Sequence, residues 1–299
     1  MVETKGGSGM ITNLNSKIKL NNGVEIPPIG FGVFRMENLE ECEKATIEAI
    51  KAGYRLIDTA AAYKNEEAVG RAIKNCGIPR DELFITTKLW ITDTSYVGAK
   101  RGFEKSMSKL GLDYLDLYLI HQPYNDYYGA WRALEEFYEA GKIRAIGIDN
   151  FTQDRTADFI FFNKIKPMVN LVECNTFFQR EDEKKYLDSE NILMQAWSPL
   201  AAGQSRLFEN EILLQIAQNH NKTVAQIVLR WLIQRGIVPI VKSSNPVRIK
   251  ENLDIFDFAI TQDEMKNIAN LDTGKTCFIP RNTGVIVKDF LKHAMEYDV

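Results

Sequence analysis

The sequence predicts an α/β fold, a (β/α)8 TIM barrel with an N-terminal β-hairpin and an extra C-terminal helix and loop. Three observations point there. Short apolar strand patterns alternate with amphipathic helical ones along nearly the whole chain, the signature of parallel βα units. Eight such units of roughly thirty residues follow one another, the number that closes a barrel. Polar and charged residues gather at the C-terminal ends of the apolar runs, where such a barrel carries its chemistry. A doubly wound sheet would want a phosphate-binding glycine loop after an early strand, and Gly30-Phe31-Gly32 has neither a third glycine nor a helix directly behind it.

Residues 1–9 contain Gly6-Gly7-Ser8-Gly9 and no apolar stretch of signal-peptide type, so they read as an appended tag or linker, with residues 10–299 as a single barrel domain. Lys17 to Leu20 and Val24 to Ile26 flank Asn21-Asn22-Gly23 and predict a hairpin. A strand around Ile29 is followed by strands over Tyr54–Asp58, Leu83–Thr87, Leu115–Ile120, Ile143–Ile148, Met168–Val172, Ile192–Trp197 and Ile237–Val241. The first helix begins near Asn38, carries Leu39, Cys42, Ala45, Ala49 and Ile50 at helical spacing, and stops at Gly53. A later helix opens with the capping box Thr223-Val224-Ala225-Gln226, shows a stripe of Val224, Ile227, Val228 and Trp231, and closes at Gly236.

With 299 residues, 45 % of them hydrophobic, the chain can bury a large core, and no Pro/Ser-rich tract or charge block divides it. A net charge of −3 argues against a general nucleic-acid or membrane-surface binder, and no apolar run reaches spanning length. Cys42, Cys76, Cys174 and Cys277 lack metal or disulfide spacing and read as reduced thiols of a cytoplasmic protein. Nothing in the chain decides its oligomeric state; a monomer is compatible with it.

The chemistry is concentrated where Arg55-Leu56-Ile57-Asp58 ends an apolar run in a carboxylate and Tyr63 follows five residues later. Lys88, His121, Asp149-Asn150, Glu173, Ser198 and Lys242-Ser243 take equivalent positions after later strands. Each alone has an ordinary explanation: a turn-capping aspartate, a solvated lysine, a satisfied core histidine, a helix-capping asparagine. Convergence on one barrel mouth argues for function instead. A phenol, with an ordinary pKa of ~10, donates a proton near neutrality only if its phenolate is stabilised. A lysine ammonium beside it does that, a carboxylate keeps the lysine charged, and a histidine adds a donor near the substrate oxygen. Such a set protonates a carbonyl oxygen as negative charge develops on it, and the electron pair arrives as hydride.

Taken together, Gly53-Tyr54-Arg55-Leu56-Ile57-Asp58-Thr59-Ala60 with Tyr63 and Glu66, Thr87-Lys88-Leu89-Trp90, Asp116-Leu117-Tyr118-Leu119-Ile120-His121-Gln122-Pro123, Gly141 to Gly147, and Val241-Lys242-Ser243-Ser244 with Arg248 and Asn252 resemble the aldo-keto reductase family from about Lys17 to Asp272. The resemblance implies reduction of an aldehyde or ketone by an NADPH-dependent oxidoreductase, a small-molecule carbonyl substrate and no metal. It assigns Tyr63 as proton donor, Asp58 and Lys88 as the pair that lowers its pKa, and His121 as the residue that orients the carbonyl. It also places Val33, Asp149, Asn150, Trp197, Ser198 and Leu200 along the cofactor, with Ser244, Glu251 and Asn252 toward its adenine end. Phe34, Trp90 and Phe278 would line the substrate pocket.

The cofactor side has a physical reading of its own. Asn245-Pro246 places a capping side chain and a proline at a helix start, where free backbone N–H groups would receive an anion, and Lys242, Ser243 and Arg248 suit a ribose 2′-phosphate. Two departures from the family pattern stand out. Asp149 replaces a usual serine and Leu171 a usual glutamine, both expected at the nicotinamide carboxamide. Two other classes of function remain open on the sequence: a non-catalytic, cofactor-sensing barrel subunit, and a barrel aldolase using Lys88 as a Schiff base.

Overall fold

The structure, a computed structural model, describes residues 13–296 and Val299, so the expected tag or linker at residues 1–9 lies outside the described residues. Strands β1 (Ile18–Lys19) and β2 (Glu25–Ile26) pair antiparallel as the expected hairpin, with Gly23 at φ 90° in the turn. The remaining strands are β3 (Gly30–Gly32), β4 (Leu56–Asp58), β5 (Phe84–Leu89), β6 (Leu115–Ile120), β7 (Ile143–Asp149), β8 (Val169–Glu173), β9 (Leu193–Trp197) and β10 (Val238–Val241). They run parallel in chain order, and β10 returns to β3 through Ile240 opposite Gly30 and Val241 opposite Phe31, which closes the barrel. That closure explains the early glycines. A Cβ on Gly30 would stand 2.5 Å from Ile240 and 2.8 Å from Leu56, and one on Gly32 would stand 2.9 Å from Ile240. The pair serves close approach at the seam, not a phosphate loop.

Around the barrel lie α1 (Leu39–Ala52), α2 (Glu66–Asn75), α3 (Tyr96–Leu110), α4 (Tyr127–Glu139), α5 (Gln153–Phe162) and α6 (Glu181–Ser189), each following its strand from β3 to β8. After β9 come α7 (Glu211–His220) and α8 (Val224–Gln234); after β10 come α9 (Pro246–Glu251) and α10 (Gln262–Ala269); α11 (Gly284–Met295) is the extra C-terminal helix. Asn38 caps α1 by accepting from the Glu41 N–H, and Gly53 ends it at φ 121°. Both bonds of the Thr223/Gln226 capping box form at α8. The stripe Val224, Ile227, Val228 and Trp231 is buried as its spacing predicts. Burying an aliphatic side chain of that size contributes about 1.5–3 kcal/mol.

Strand ends differ from the sequence expectation in two directions. β4 begins only at Leu56, because the Tyr54 N–H turns back to the Ala49 carbonyl at 3.0 Å and finishes α1 instead of entering the sheet. β5, β7 and β8 continue to Leu89, Asp149 and Glu173, so Lys88, Asp149 and Glu173 are strand residues held by the ladder, not loop residues. Cys42, Cys76 and Cys174 are buried free thiols and Cys277 is a half-buried one. Among the described residues no helix is long and apolar enough to cross a membrane.

Candidate active site

Asp58 ends β4, Lys88 lies near the end of the neighbouring β5, and Tyr63 closes a single helical turn (Ala61–Tyr63) between β4 and α2. The Lys88 Nζ donates to Asp58 Oδ2 at 2.6 Å, to the Thr59 carbonyl at 3.0 Å and to the Tyr63 hydroxyl at 3.2 Å. His121 follows β6, its N–H bonded to the Leu89 carbonyl at 3.2 Å. Its ring stands edge-on to Tyr63 with centroids 5.7 Å apart and to Trp90 at 5.1 Å. Four residues spread from position 58 to 121 thus meet at one mouth because three neighbouring parallel strands, β4, β5 and β6, end there together.

Burial sets the charges. Desolvation works against the Lys88 ammonium, but the Asp58 carboxylate and further negative neighbours outweigh it and hold Lys88 above the ordinary lysine value. Desolvation lifts the Asp58 carboxyl, and Lys88 opposes that lift. The Tyr63 phenol is pushed up to about 12, chiefly by desolvation; Lys88 pulls it down, while Asp58 and Asp149 push it up. The expected lowering by the Asp58–Lys88 pair is therefore only partial: the ammonium acts in that direction, but burial wins. His121 falls well below the usual histidine value through burial first, then the Lys88 and Arg281 charges, so it is a neutral imidazole.

The family model described as Aldo/keto reductase family matches residues 28–273. A glyoxal reductase of Bacillus subtilis is 50 % identical over 264 residues, covering 88 % of this chain and 95 % of that one. Among solved structures, an aldo-keto reductase from a Medee basin deep-sea metagenome library superimposes with a TM-score of 0.86 at 44 % identity, over 89 % of this chain and 98 % of that one. A Bombyx mori aldo-keto reductase in complex with NADP gives a TM-score of 0.83 at 34 % identity, over 88 % and 95 %. The chain belongs to the aldo/keto reductase family.

In this aldo/keto reductase the second departure sits beside the first, since Asp149 and Leu171 are paired across β7 and β8. Asp149 is 2 % exposed; one of its oxygens accepts from Asn150 Nδ2 at 2.7 Å, and the other lies 3.8 Å from His121 Nε2. Burial, with some help from Asp58, raises its carboxyl well above the ordinary aspartate value against the pull of Lys88 and Arg281. The carboxylate that the sequence leads one to expect beside a ligand is here a buried group whose ionisation burial opposes. Asn150 is also more committed than expected. Its amide donates to the His121 carbonyl at 3.1 Å as well as to Asp149, and its oxygen accepts from the Trp197 indole at 2.9 Å, which leaves one acceptor position for a ligand.

The remaining cofactor candidates form a rim running from β9 to α9. Trp197 is half-buried, its ring tilted against Phe278 at 5.3 Å between centroids. After it, Ser198, Ala201, Ala202, Ser205 and Arg206 all have positive φ, a concentration of strained backbone of the kind found at ligand clamps. Leu200 is half-buried against the core. Lys242 and Arg248 are exposed, and among the described residues neither has a carboxylate within ion-pair distance. Ser243 is half-buried, its hydroxyl accepting from the Asn245 N–H at 3.1 Å. The free N–H groups expected at α9 are already taken, since the Asn245 side chain accepts from Val247 at 2.9 Å and Arg248 at 3.4 Å. An anion there meets side chains, not helix donors. Ser244 lines a surface cleft beside α1 with Glu40, Glu41 and Lys44, while Glu251 is half-buried and Asn252 buried at the end of α9. Val33 is buried with its N–H on the Asp58 carbonyl and its own carbonyl on Asn65, so its backbone has no bond left to offer. An aromatic face at one end and two unpaired cations at the other fit a nicotinamide dinucleotide that carries a phosphate.

Phe34, 55 % exposed, lies 5.0 Å from the Tyr63 ring, and Trp90 meets His121 edge-on, so two of the aromatic residues expected at the substrate pocket lie beside the cluster. What the sequence does not reveal is how much the C-terminal segment adds. Glu173 accepts from the Cys277 N–H at 2.8 Å and from the Thr276 hydroxyl, tying the segment to the end of β8. The Trp90 indole donates to the Ala294 carbonyl at 3.1 Å, and Phe290 packs on Trp90 and Tyr124. No spacing rule joins residues two hundred positions apart. Arg281, between Pro280 and Asn282, carries no sequence motif that marks it.

Proposed function

We propose that this chain is an NADPH-dependent carbonyl reductase that converts an aldehyde or ketone to the alcohol, with Tyr63 as general acid. The observation that carries the reading is the Lys88 ammonium, bonded to Asp58 on one side and to the Tyr63 hydroxyl on the other within a pocket that also holds His121. NADPH, when bound, supplies the hydride that adds to the carbonyl carbon. The neutral His121 imidazole gives an N–H to the carbonyl oxygen and orients it. Tyr63 transfers its proton to that oxygen as it acquires alkoxide character. A phenol at about 12 is fully protonated at neutral pH, and the developing alkoxide is the stronger base. The phenolate left behind is stabilised by Lys88, whose charge Asp58 maintains. Lys242 and Arg248 hold the 2′-phosphate, and Trp197 faces the nicotinamide ring.

The relatives support this reading by their names: one is a glyoxal reductase and one was crystallised with NADP. A lysine held as a buried ammonium is a poor amine nucleophile, so no observation favours the Schiff-base aldolase. The test is oxidation of NADPH and NADH against a panel of small aldehydes, ketones and sugars. Turnover with at least one carbonyl and a preference for NADPH are expected. Cofactor binding without turnover of any carbonyl would favour the cofactor-sensing subunit instead.

A further inference from the structure

Asn65 stands at the N-cap of α2, two residues after Tyr63, and is 1 % exposed. An asparagine there ordinarily accepts from a first-turn N–H, yet among the described residues this side chain makes no such bond. Its oxygen instead accepts from the Thr59 hydroxyl at 2.8 Å, and its amide donates to the Val33 carbonyl at 2.9 Å and to the Met36 carbonyl at 3.3 Å. Both carbonyls can only accept, so chemistry fixes which way the amide points. Val33 and Met36 are the ends of a four-residue turn between β3 and α1, closed by the Met36 N–H on the Val33 carbonyl at 3.1 Å. The ends are buried, and the tip, Phe34 and Arg35, is exposed. Arg35 has φ 58°, a left-handed conformation that a long side chain disfavours and that its surroundings must hold. One buried amide thus clamps both ends of a strained tip, and that tip carries Phe34, whose ring lies 5.0 Å from Tyr63.

Resting on the carbonyl-reductase reading above, we propose that Asn65 is a positioning residue: it fixes Phe34 beside Tyr63 and so sets the affinity of the site for large aromatic carbonyl substrates. The cap that α2 forgoes supports this, because a bond that ordinarily stabilises a helix end is given up for two bonds to the turn. The effect falls on binding more than on chemistry. The Thr59 carbonyl accepts from Lys88 at 3.0 Å, but the Thr59 N–H is itself held by the Thr86 carbonyl at 2.9 Å, so that contact keeps its place without the Asn65 side chain. Phe34, by contrast, is more than half exposed and depends on the turn for its position. The competing explanation is that Asn65 only ties α2 to the turn for stability. Its loss would then weaken every substrate alike, and independently of Phe34.

The test compares 2-naphthaldehyde, large enough to lie against Phe34 while its carbonyl meets Tyr63, with propanal, which is not. The proteins are wild type, Asn65→Ser, Phe34→Ala and the double variant. Serine caps a helix as well as asparagine does, so Asn65→Ser removes the donors to the turn and spares α2. It should lower kcat/KM for 2-naphthaldehyde by about tenfold or more, mainly through KM, because two buried carbonyls lose a donor. Propanal should stay within about threefold. In Phe34→Ala, which has no ring to place, adding Asn65→Ser should change kcat/KM for 2-naphthaldehyde by less than about threefold. Equal losses on both aldehydes, no loss on either, or full additivity with Phe34→Ala would overturn the proposal. Amide hydrogen exchange gives a readout without turnover: peptides covering residues 33–36 should exchange about tenfold faster or more in Asn65→Ser, while those covering β4 and β5 match wild type. If no carbonyl is reduced at all, the reductase reading fails, whereas faster exchange of the turn still supports the clamp and unchanged exchange overturns it. Should Asn65→Ser not fold, Thr59→Val removes the hydroxyl that orients the Asn65 amide and should give the same selective loss in smaller measure. Equal losses or none in that variant would overturn the proposal as well.

Discussion

Asp149 and Leu171 face each other across β7 and β8, so the two departures from the usual family residues are one structural locus. Leu171, 1 % exposed, gives Asp149 an apolar neighbour where an amide would have offered a hydrogen bond. Burial outweighs the pull of Lys88 and Arg281 and holds the carboxyl well above the ordinary aspartate value.

Stability should record this. A carboxyl whose pKa is raised on folding contributes fully below its unfolded value, and the contribution is lost as pH rises through the folded value. Wild type should therefore lose thermal stability relative to Asp149→Asn as pH climbs from about 5 to about 8. A Tm difference that stays constant over that range would mean that Asp149 is ionised in the folded protein throughout.

The same carboxyl couples to the cofactor on the proposed reading. An ionised Asp149 attracts the positive ring of NADP⁺ and not the neutral ring of NADPH, and the ionised fraction grows with pH. In wild type the ratio of Kd for NADP⁺ to Kd for NADPH should fall between about pH 6 and about pH 9, by up to about tenfold. In Asp149→Ser it should be flat. Fluorescence titration of both cofactors decides it, and parallel profiles in the two proteins would place Asp149 out of reach of the ring.

Lys88 and Asp58 are both buried, and removing one charge strands the other. Lys88→Met should cost about 3–5 kcal/mol of unfolding free energy, as breaking a buried pair does. The double change Asp58→Asn/Lys88→Met should regain much of that loss without regaining activity. Urea unfolding measures both. A Lys88→Met loss under about 1 kcal/mol would show that the pair is not energetically coupled.

Lys242 and Arg248 lack carboxylate partners among the described residues, and the helix donors beside them are occupied, so on the proposed reading the side chains alone discriminate the 2′-phosphate. Neutralising both should weaken NADPH by about tenfold or more while NADH changes little. Competitive titrations check this, and equal losses for both cofactors would separate the basic pair from the phosphate.

Barrel, hairpin and the meeting of Asp58, Tyr63, Lys88 and His121 were legible because each is encoded locally: period-two runs, capping residues, and polar groups at strand ends that topology carries to one place. Lys88 shows the limit. Its position was legible, but its complete burial came from β5 running on to Leu89, which no turn residue signals. The upward shift of Asp149 comes from burial that the tertiary fold imposes, and occupation of the α9 donors from the rotamer of Asn245. Arg281 reached the site only through the fold of a tail with no periodic link to the barrel.

Proton donation by Tyr63 is the claim on which the rest depends, and Tyr63→Phe tests it most directly. The change removes the hydroxyl bonded to Lys88 but keeps the ring against Phe34 and His121. Initial rates of NADPH oxidation with a good aldehyde substrate, alongside fluorescence titration of NADPH, should show kcat reduced by about 10²–10⁴ with cofactor affinity within about twofold of wild type. Retention of more than about a tenth of wild-type kcat, with NADPH bound as tightly, would contradict the assignment of Tyr63 as the acid.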